Sequence, residues 1–401
     1  MNAKPHFIQI HTLHNYPAAL LNRDDAGLAK RLPMGGTTRT RISSQCLKRH
    51  WRIADDRYAL SALDVPMAVR SRGTLLQIRD RIVANGIEES QAQAAVEAMR
   101  DGGLVDKAGK AKKGDDALET GQAVLLGKAE IDYLVNRCTE LARDNNDEKA
   151  LRDAVKNWIT DKDEKKNIAA LKHGSGLESA LFGRMVTSDV LASRDASVCV
   201  GHAFTVHQAE VENDYFTVVD DLLQESGELG SAGIFDTELA SGLYYAYVVV
   251  DVRQLVENLE GIDGKQTFGD STPEGQRELA ARVTKHLLYL IATVSPGAKR
   301  GSTAPFAWAR FMLVEAGEWQ PRSLASAFQD ALPLRDADDK GILQRAVERI
   351  GTEMQTMDDA YGMFTARRFL ALGDATLPQA ERANLEQLGA WVEEVIRQGS
   401  C

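Results

Sequence analysis

The sequence contains little cysteine. Only four occur among the 401 residues, Cys46, Cys138, Cys199 and Cys401, and no two of them form a CxxC pair. This isolation predicts neither a disulfide framework nor a zinc site. We therefore expect reduced thiols and a reducing compartment.

Long apolar runs are also missing. No stretch of about 18 apolar residues that could span a bilayer occurs, and the N-terminal MNAKPHFIQIHTLHNY lacks the continuous apolar core of a signal peptide. Hydrophobic residues still make up 44% of the chain and charged residues 26%, enough for a sizeable core. The sequence predicts a soluble cytoplasmic protein of two or more structural units, with no membrane partner.

Common signatures of catalysis and cofactor binding are absent. There is no GxxxxGK[ST] loop, no strand-linked GxGxxG, and no serine or cysteine nucleophile with a recognisable base. The pairs His11/His14 and His202/His207 are not spaced to meet on one face, so we interpret them as structural histidines. We therefore expect no catalytic residue, cofactor or metal centre.

Basic residues are concentrated in one segment of an acidic chain. The formal net charge is −10, yet residues 21–52, LNRDDAGLAKRLPMGGTTRTRISSQCLKRHWR, hold eight Lys or Arg and only two Asp. A charged helix face is commonly just solvated, whereas a local cluster of this kind can also bind a polyanion. On charge alone, both interpretations stay open.

The end of this segment, RISSQCLKRHWR, predicts an amphipathic helix. Ser43 or Ser44 would be its N-cap, and Gln45, Lys48 and Arg52 would then share one face. The opposite, largely apolar face would carry Leu47, Trp51 and Ala54. Free N–H groups of the first turn, the serine hydroxyls and the basic face would together form a phosphate site.

A Gly-Gly turn is predicted just before this helix. In MGGTTRTR the two glycines would let the backbone approach a ligand closely, with Arg39 and Arg41 beside it. Together with the helix, this arrangement fits a sequence-independent grip on a single-stranded nucleic-acid backbone.

Elsewhere the pattern of elements indicates an α+β protein. FIQIHTL, GLYYAYVVVDV and FAWARFMLVEAG are typical of strands, and PEGQRELAARVTKHLLYLIATV has helical spacing. Residues 60–172 are largely helical in pattern, with a glycine- and lysine-rich loop around 107–113, and the part after about 321 is mostly helical. We expect a mixed sheet with helices on one face, interrupted by a helical insertion.

Several motifs, taken in order, resemble one known family. LNRDD, GGTTRTRISSQCLKRHWR, ALFGRM, VHQAEVENDYFTVVDDL, SGLYYAYVVVDVRQL and PGAKRGSTAPFAWARFMLVE are similar to the CasC backbone subunits of the type I-E CRISPR Cascade complex. The resemblance extends to about residue 315 and is most specific in the first 52 residues.

The resemblance implies an α+β fold with three named parts. A modified RRM-like (ferredoxin-like) palm would comprise residues 1–65, 176–206 and 243–315. A large helical fingers insertion would span 66–175 and a protruding thumb 207–242, the latter a β-hairpin-like projection or a plain surface loop. Residues 316–401 would form a mainly helical part that packs on the palm.

The resemblance also implies a function without catalysis. Copies of such a subunit form a helical filament along the spacer part of CRISPR RNA, which is held for pairing with target DNA. The expected partners are therefore CRISPR RNA, target DNA, other copies of the chain and other Cascade subunits.

Candidate RNA-binding residues follow from the matched motifs. Those that match backbone-lining positions, with the two arginines beside the turn, are Arg23, Lys30, Arg39, Arg41, Ser43, Gln45, Lys48 and Arg52. Met185 matches a position packed against bases, although a methionine more commonly fills a core. Lys299 and Arg300 would form another grip on the RNA backbone.

Two rival functions accompany this expectation. Asp24 and Asp25 could bind Mg²⁺ in a metal-dependent RNase, as in related backbone subunits of type III effector complexes. Pairing with a neighbouring arginine is the ordinary structural use of such carboxylates. A scaffold that self-assembles without RNA is the other rival.

Overall fold

In a computed structural model, one large sheet organises a mixed α+β fold. The structure describes residues 3–104, 118–120, 123–184, 191, 193–219, 231–269, 273–335, 340–362 and 365–401. The chain divides into two units, the first formed by Met1–Leu60, Cys199–Val252 and Pro273–Cys401 and the second by Ser61–Val198 and Arg253–Thr272. The predicted α+β class is confirmed at this level.

The first unit contains the ten-stranded sheet. Its strands, with β6 at the boundary of the unit, are β1 (Phe7–Ala19), β2 (Arg31–Met34), β3 (Thr37–Ile42), β6 (Val198–Val200), β7 (Ala203–Thr205), β8 (Glu210–Val219), β9 (Ser231–Asp251), β10 (Phe311–Gly317), β11 (Thr365–Ala371) and β12 (Glu381–Arg382). The sheet order is β12-β11-β10-β1-β9-β7-β3-β2, and both β6 and β8 also pair with β9.

The helices of the first unit accompany this sheet. They are α1 (Ser44–Arg52), α9 (Glu278–Thr293), α10 (Arg300–Thr303), α11 (Ile342–Tyr361) and α12 (Leu385–Gln398). The helix predicted from PEGQRELAARVTKHLLYLIATV is present as α9, and the predicted strands FIQIHTL, GLYYAYVVVDV and FAWARFMLVEAG lie in β1, β9 and β10.

Strand β1 lies at the centre of the sheet. It pairs antiparallel with β9 on one side and β10 on the other, so that Phe7 lies opposite both Asp251 and Gly317. Its first eight residues are all buried. Because side chains alternate between the faces of a strand, continuous burial requires that both faces be covered.

Helices therefore cover both faces, contrary to the predicted single layer. On one face, Val347 and Ile350 of α11 pack into a core with Leu13, Leu313 and Tyr245. On the other face, α1 and α9 line a small cavity together with strand residues. That cavity is lined by Leu47, Trp51 and Ile291 from the helices and by His14, Tyr16 and Tyr244 from the strands, among others.

The C-terminal part contributes strands as well as helices. Besides α11 and α12, it supplies β11, which pairs antiparallel with β10 and extends the sheet. The sequence predicts a mostly helical pattern for this part. β11, TARRFLA, departs from that expectation because its inward positions include Arg367, a buried cation that an apolar alternation pattern does not detect.

A buried charge network holds β1, β10 and β11 together. Both Glu315 and His11 are fully buried, and Glu315 accepts hydrogen bonds from Arg322 at 2.6 and 3.0 Å and from Arg367 at 2.8 Å. Arg367 also donates to both oxygens of Asp358, at 2.5 and 2.7 Å. Two carboxylates thus balance two guanidinium groups inside the unit.

The protonation states in this network follow from its contacts. Burial by itself raises the pKa of Glu315, but hydrogen bonds from His11 and Arg322 outweigh it and hold that pKa well below its ordinary value. Burial is the main cause that lowers the pKa of His11. The carboxylate is therefore ionised at neutral pH beside a neutral imidazole.

The second unit is largely helical, as predicted for the insertion. Its elements are β4 (Ala68–Ser71), α2 (Thr74–Ala84), α3 (Glu89–Asp101), β5 (Val124–Gly127), α4 (Lys128–Asp144), α5 (Glu148–Thr160), α6 (Lys162–Ala170) and α7 (Leu177–Phe182), and α8 (Val252–Glu260) begins at its boundary. It has its own apolar core, which includes Leu75, Met99, Leu134 and Trp158. The lysine-rich loop at 107–113 lies outside the described residues.

No helix in the described ranges of either unit is long and apolar enough to cross a bilayer. This division into two units does not test the predicted boundaries of the palm, fingers, thumb and C-terminal part. Those boundaries remain predictions.

Replacing Glu315 by Gln should strongly destabilise the first unit. The substitution leaves Arg322 and Arg367 buried without their shared counter-charge, and breaking a buried pair in this way costs about 3–5 kcal/mol. Urea unfolding monitored by circular dichroism would measure the decrease in the free energy of unfolding.

Glu348→Gln is the matched control for this change. Glu348 pairs with Lys340 at 3.0 Å on the surface, where both side chains are more than 40% exposed. Its replacement should cost less than about 1 kcal/mol. Equal effects of the two substitutions would show that the buried network contributes no more than a surface pair.

Candidate nucleic-acid interface

Helix α1 begins where the sequence predicts. Ser43 is its N-cap, and the Ser43 Oγ accepts a hydrogen bond from the Cys46 N–H at 3.3 Å. Leu47 and Trp51 are buried, whereas Gln45 on the opposite face is exposed. The helix ends at Arg52, so the apolar face predicted to reach Ala54 stops one turn earlier.

Two donors of the first turn are already used inside the protein. The Ser44 N–H donates to Nδ1 of His202 at 3.1 Å, and the Cys46 N–H donates to the Ser43 cap. The Ser43 N–H donates to the side-chain oxygen of Asn22 at 2.9 Å. The predicted phosphate site therefore lacks these free N–H groups, and its attraction for anions depends on side chains.

The predicted Gly-Gly turn joins β2 to β3. Gly35 and Gly36 have φ values of 58° and 75°, and Met34 pairs with Thr37 across the two-residue turn. A Cβ on Gly35 would lie 1.6 Å from the carbonyl oxygen of Gln329. The close approach that this glycine permits is thus to the protein's own backbone and not to a ligand.

Arg39 does not belong to the outer surface. Its side chain is fully buried and donates to the carbonyl oxygens of Thr205 at 2.9 Å and Phe328 at 3.1 Å, and its Nε donates to Thr37 at 2.8 Å. Burial is the main cause that lowers the pKa of this guanidinium. The structure removes Arg39 from the candidate interface, because its donors hold three segments of the fold together.

Lys30, Arg41 and His202 meet beside the start of α1. The Arg41 N–H donates to the Lys30 carbonyl at 2.7 Å, and Arg41 pairs with Phe204 across β3 and β7. His202 precedes β7 and is exposed. Partial burial lowers the pKa of His202, and the nearby charges of Arg41 and then Lys30 lower it further.

Lys48 adds a cation to this side of α1. It lies one turn after Gln45 and is half-buried, and partial burial lowers the pKa of its ammonium group, with Cys199 opposing the shift. Arg52 lies one turn further on the same face, also half-buried. We define the basic surface as Lys30, Arg41, Gln45, Lys48, Arg52 and His202.

Arg23 and Asp24 lie in a loop attached to this surface. The loop is closed where Lys30 N–H donates to the Asn22 carbonyl at 2.9 Å and where Arg23 bridges to Ala29. An oxygen of Asp24 accepts from the N–H groups of Ala26 and Leu28, at 3.0 and 2.9 Å. Arg23, Asp24 and Asp25 are all exposed, and the Asp24 carboxylate in addition shapes the turn.

Lys299 and Arg300 lie at the start of the short helix α10, next to a hairpin. The predicted hairpin is formed by β8 and the first half of β9. Lys299 donates to the hydroxyl of Thr237 on β9, and its ammonium lies 5.2 Å from the ring centre of Phe216 on β8. The Ala298 N–H donates to the Leu20 carbonyl at 2.8 Å, which attaches this part of the chain to the residue just before the basic segment.

Two predicted features lie outside the described residues. They are Met185 and the centre of the predicted thumb, including Leu229. Among the residues that the structure does describe, no three His, Cys, Asp or Glu are grouped to hold a metal ion.

Sequence reasoning missed His202 and two exposed aromatic residues, Tyr215 and Phe216. The spacing of His202 favours a structural role, and only the pairing of β3 with β7 brings it to Ser44. The side chains of Tyr215 and Phe216 on β8 are 63% and 40% exposed. The adjacent aromatics in NDYFTVV could have indicated an exposed ring, because neighbouring side chains of a strand point to opposite faces.

A family model described as CT1975-like protein matches residues 8–397 of the chain. The chain belongs to this CT1975-like family. No curated protein matches the sequence.

Solved structures give a consistent result for this CT1975-like chain. A chain of a "CRISPR RNA-guided surveillance complex, pre-nicking" is 27% identical with a TM-score of 0.75, over 97% of this chain and 100% of that one. A chain of a "CRISPR RNA-guided surveillance complex" is 23% identical with a TM-score of 0.65, over 96% and 99%. The second match supports the fold alone. Together the matches confirm the resemblance to Cascade subunits.

Replacing Ser43 by Ala should loosen the start of α1. The substitution removes the acceptor for the Cys46 N–H, and removal of a serine N-cap costs about 0.5–2 kcal/mol. Hydrogen exchange of the α1 amides would report the change as faster exchange.

Ser44→Ala is the internal comparison for this prediction. The Ser44 hydroxyl donates only to the side chain of Gln45, at 3.3 Å, and does not cap the helix. Its removal should leave amide exchange in α1 nearly unchanged. If both substitutions had the same effect, the Ser43 cap would not be what holds the first turn.

Proposed function

We propose that the protein is a non-catalytic backbone subunit of a type I-E CRISPR surveillance complex. Copies would polymerise along the spacer region of CRISPR RNA and present it for pairing with target DNA in antiviral defence. The proposal includes other Cascade subunits as partners and a cytoplasmic location. Support comes from family membership, from the similar chains of surveillance complexes and from the chemistry of the basic surface.

The observation that carries the proposal is the grouping of cations around the start of α1. Lys30 and Arg41 come from separate segments and lie beside His202, whose pKa is lowered mainly by partial burial and further by these two charges. Grouping like charges costs free energy unless an anion offsets it. An RNA backbone supplies regularly spaced anions, and binding to it needs no base-specific contact.

The finer parts of the predicted fold belong to the same proposal. The first unit would act as the RRM-like palm, the second as the fingers, and the β8–β9 hairpin as the thumb. The exposed Tyr215 and Phe216 on this hairpin fit a role beside RNA, since aromatic rings stack on bases of any sequence.

Complexes purified from the native operon should contain a short RNA of defined length. Replacing both Lys48 and Arg52 by Glu should reduce the retained RNA, measured by absorbance ratio and gel length. The slope of log affinity against log salt should also become shallower, by about 0.7 for each phosphate of a single strand that the variant no longer neutralises.

Lys4→Glu serves as the control for charge reversal, because Lys4 is an exposed lysine outside the basic segment. It should leave RNA retention and the salt slope unchanged. Wild-type complexes without any nucleic acid would contradict the guide-RNA function and favour the scaffold that assembles without RNA.

The alternative is a metal-dependent RNase that uses Asp24 and Asp25. The hydrogen bonds that commit an Asp24 oxygen to the turn at Ala26 and Leu28 favour the non-catalytic role. We expect labelled complementary RNA to remain intact when it is incubated with the complex and Mg²⁺. Cuts at a regular spacing, abolished when both aspartates are replaced by Ala, would establish the nuclease instead.

A further inference from the structure

The loop that follows α10 and leads into β10 presents two large aromatic side chains to solvent. Phe306 is 68% exposed and Trp308 is 69% exposed. They alternate with Pro305, Ala307 and Ala309, which face inward and are buried or half-buried. The alternation is that of an extended segment, in which every second side chain points to the same side.

This segment is fixed to the core of the first unit by its backbone. Ala307 exchanges hydrogen bonds with the hydroxyl of Ser295, at 2.9 and 3.0 Å, and the Ala309 N–H donates to the Ala292 carbonyl at 2.8 Å. The Arg310 N–H donates to the carbonyl of Leu13 on β1 at 2.8 Å. The exposed rings therefore stand on a rigid support, which lowers the entropic cost of binding.

The charge of the loop indicates what kind of partner it takes. Residues 295–311 contain Lys299, Arg300 and Arg310 and no acidic residue, in a chain of net charge −10. The Arg300 guanidinium lies 5.3 Å from the ring centre of Phe306. Exposed rings among cations are the combination that binds single-stranded nucleic acid, by stacking on bases and neutralising phosphates.

We propose that Phe306 and Trp308 form a platform on which bases of single-stranded RNA stack, with Arg300 and Arg310 neutralising the adjoining phosphates. The inference rests on the proposed guide-RNA function and extends it to a second binding surface. The hydrogen bond between the Ala298 N–H and the Leu20 carbonyl attaches this segment to the chain just before the basic segment.

The test compares a fluorescent single-stranded RNA with an abasic strand of the same length and charge, using the purified full-length chain. Phe306→Ala and Trp308→Ala should each weaken binding of the base-bearing strand about fivefold or more, the range for removal of one stacked base. Binding of the abasic strand should not change. Phe306→Tyr should preserve affinity, and Phe306→Leu should weaken it, because Leu keeps the apolar bulk without the ring.

Tyr361→Ala is the control, since Tyr361 is 77% exposed on α11 outside this loop. Equal decreases in affinity for both strands, or none, would overturn the stacking platform while leaving the guide-RNA function intact. A change in particle size without a change in RNA affinity would assign the two rings to a protein interface instead. A wild-type chain that binds neither strand would refute the proposed function itself.

Discussion

Burial of β1 on both faces is the constraint from which the rest of the first unit follows. A strand with two covered faces must lie between two layers of structure, which in this unit are helices. β9 and β10 pair with its two sides. α11 covers one face, and α1 with α9 covers the other. The polar residues of β1 then need partners of their own. His11 finds them in Glu315 and Tyr245, and an ionic network therefore lies at the centre of the sheet.

The same architecture determines which basic residues can face outward. The Arg39 side chain on β3 donates to the carbonyl oxygen of Phe328 in a 3₁₀ turn. Arg31 forms an ion pair with Glu238. Lys30, Arg41, Lys48 and His202 lie where α1, β3 and β7 meet. The basic segment thus contains a buried arginine, Arg39, an exposed arginine paired with a carboxylate, Arg31, and the residues of the basic surface.

Features set by neighbours in sequence could be predicted, and features set by distant pairing could not. The Ser43 cap, the turn at Gly35–Gly36 and the buried stripe of Leu47 and Trp51 follow from patterns a few residues long. The burial of Arg39, the arrival of His202 at Ser44 and the strand around Arg367 depend on residues more than fifty positions away. An amphipathic pattern identifies the apolar side of a helix but not the sheet face on which that side packs. The position of α11 on the second face was therefore not predicted.

The hydrogen bond from the Ser44 N–H to His202 restricts how the His202 imidazole can be protonated. Because Nδ1 accepts the Ser44 N–H, the neutral ring carries its only proton on Nε2, directed away from the helix. An approaching phosphate favours a second proton on this imidazole, yet that proton can only be placed on Nδ1, where it displaces the helix N–H. Acidification therefore sets two effects against each other, a stronger attraction for the polyanion and a weaker hold on the first turn of α1.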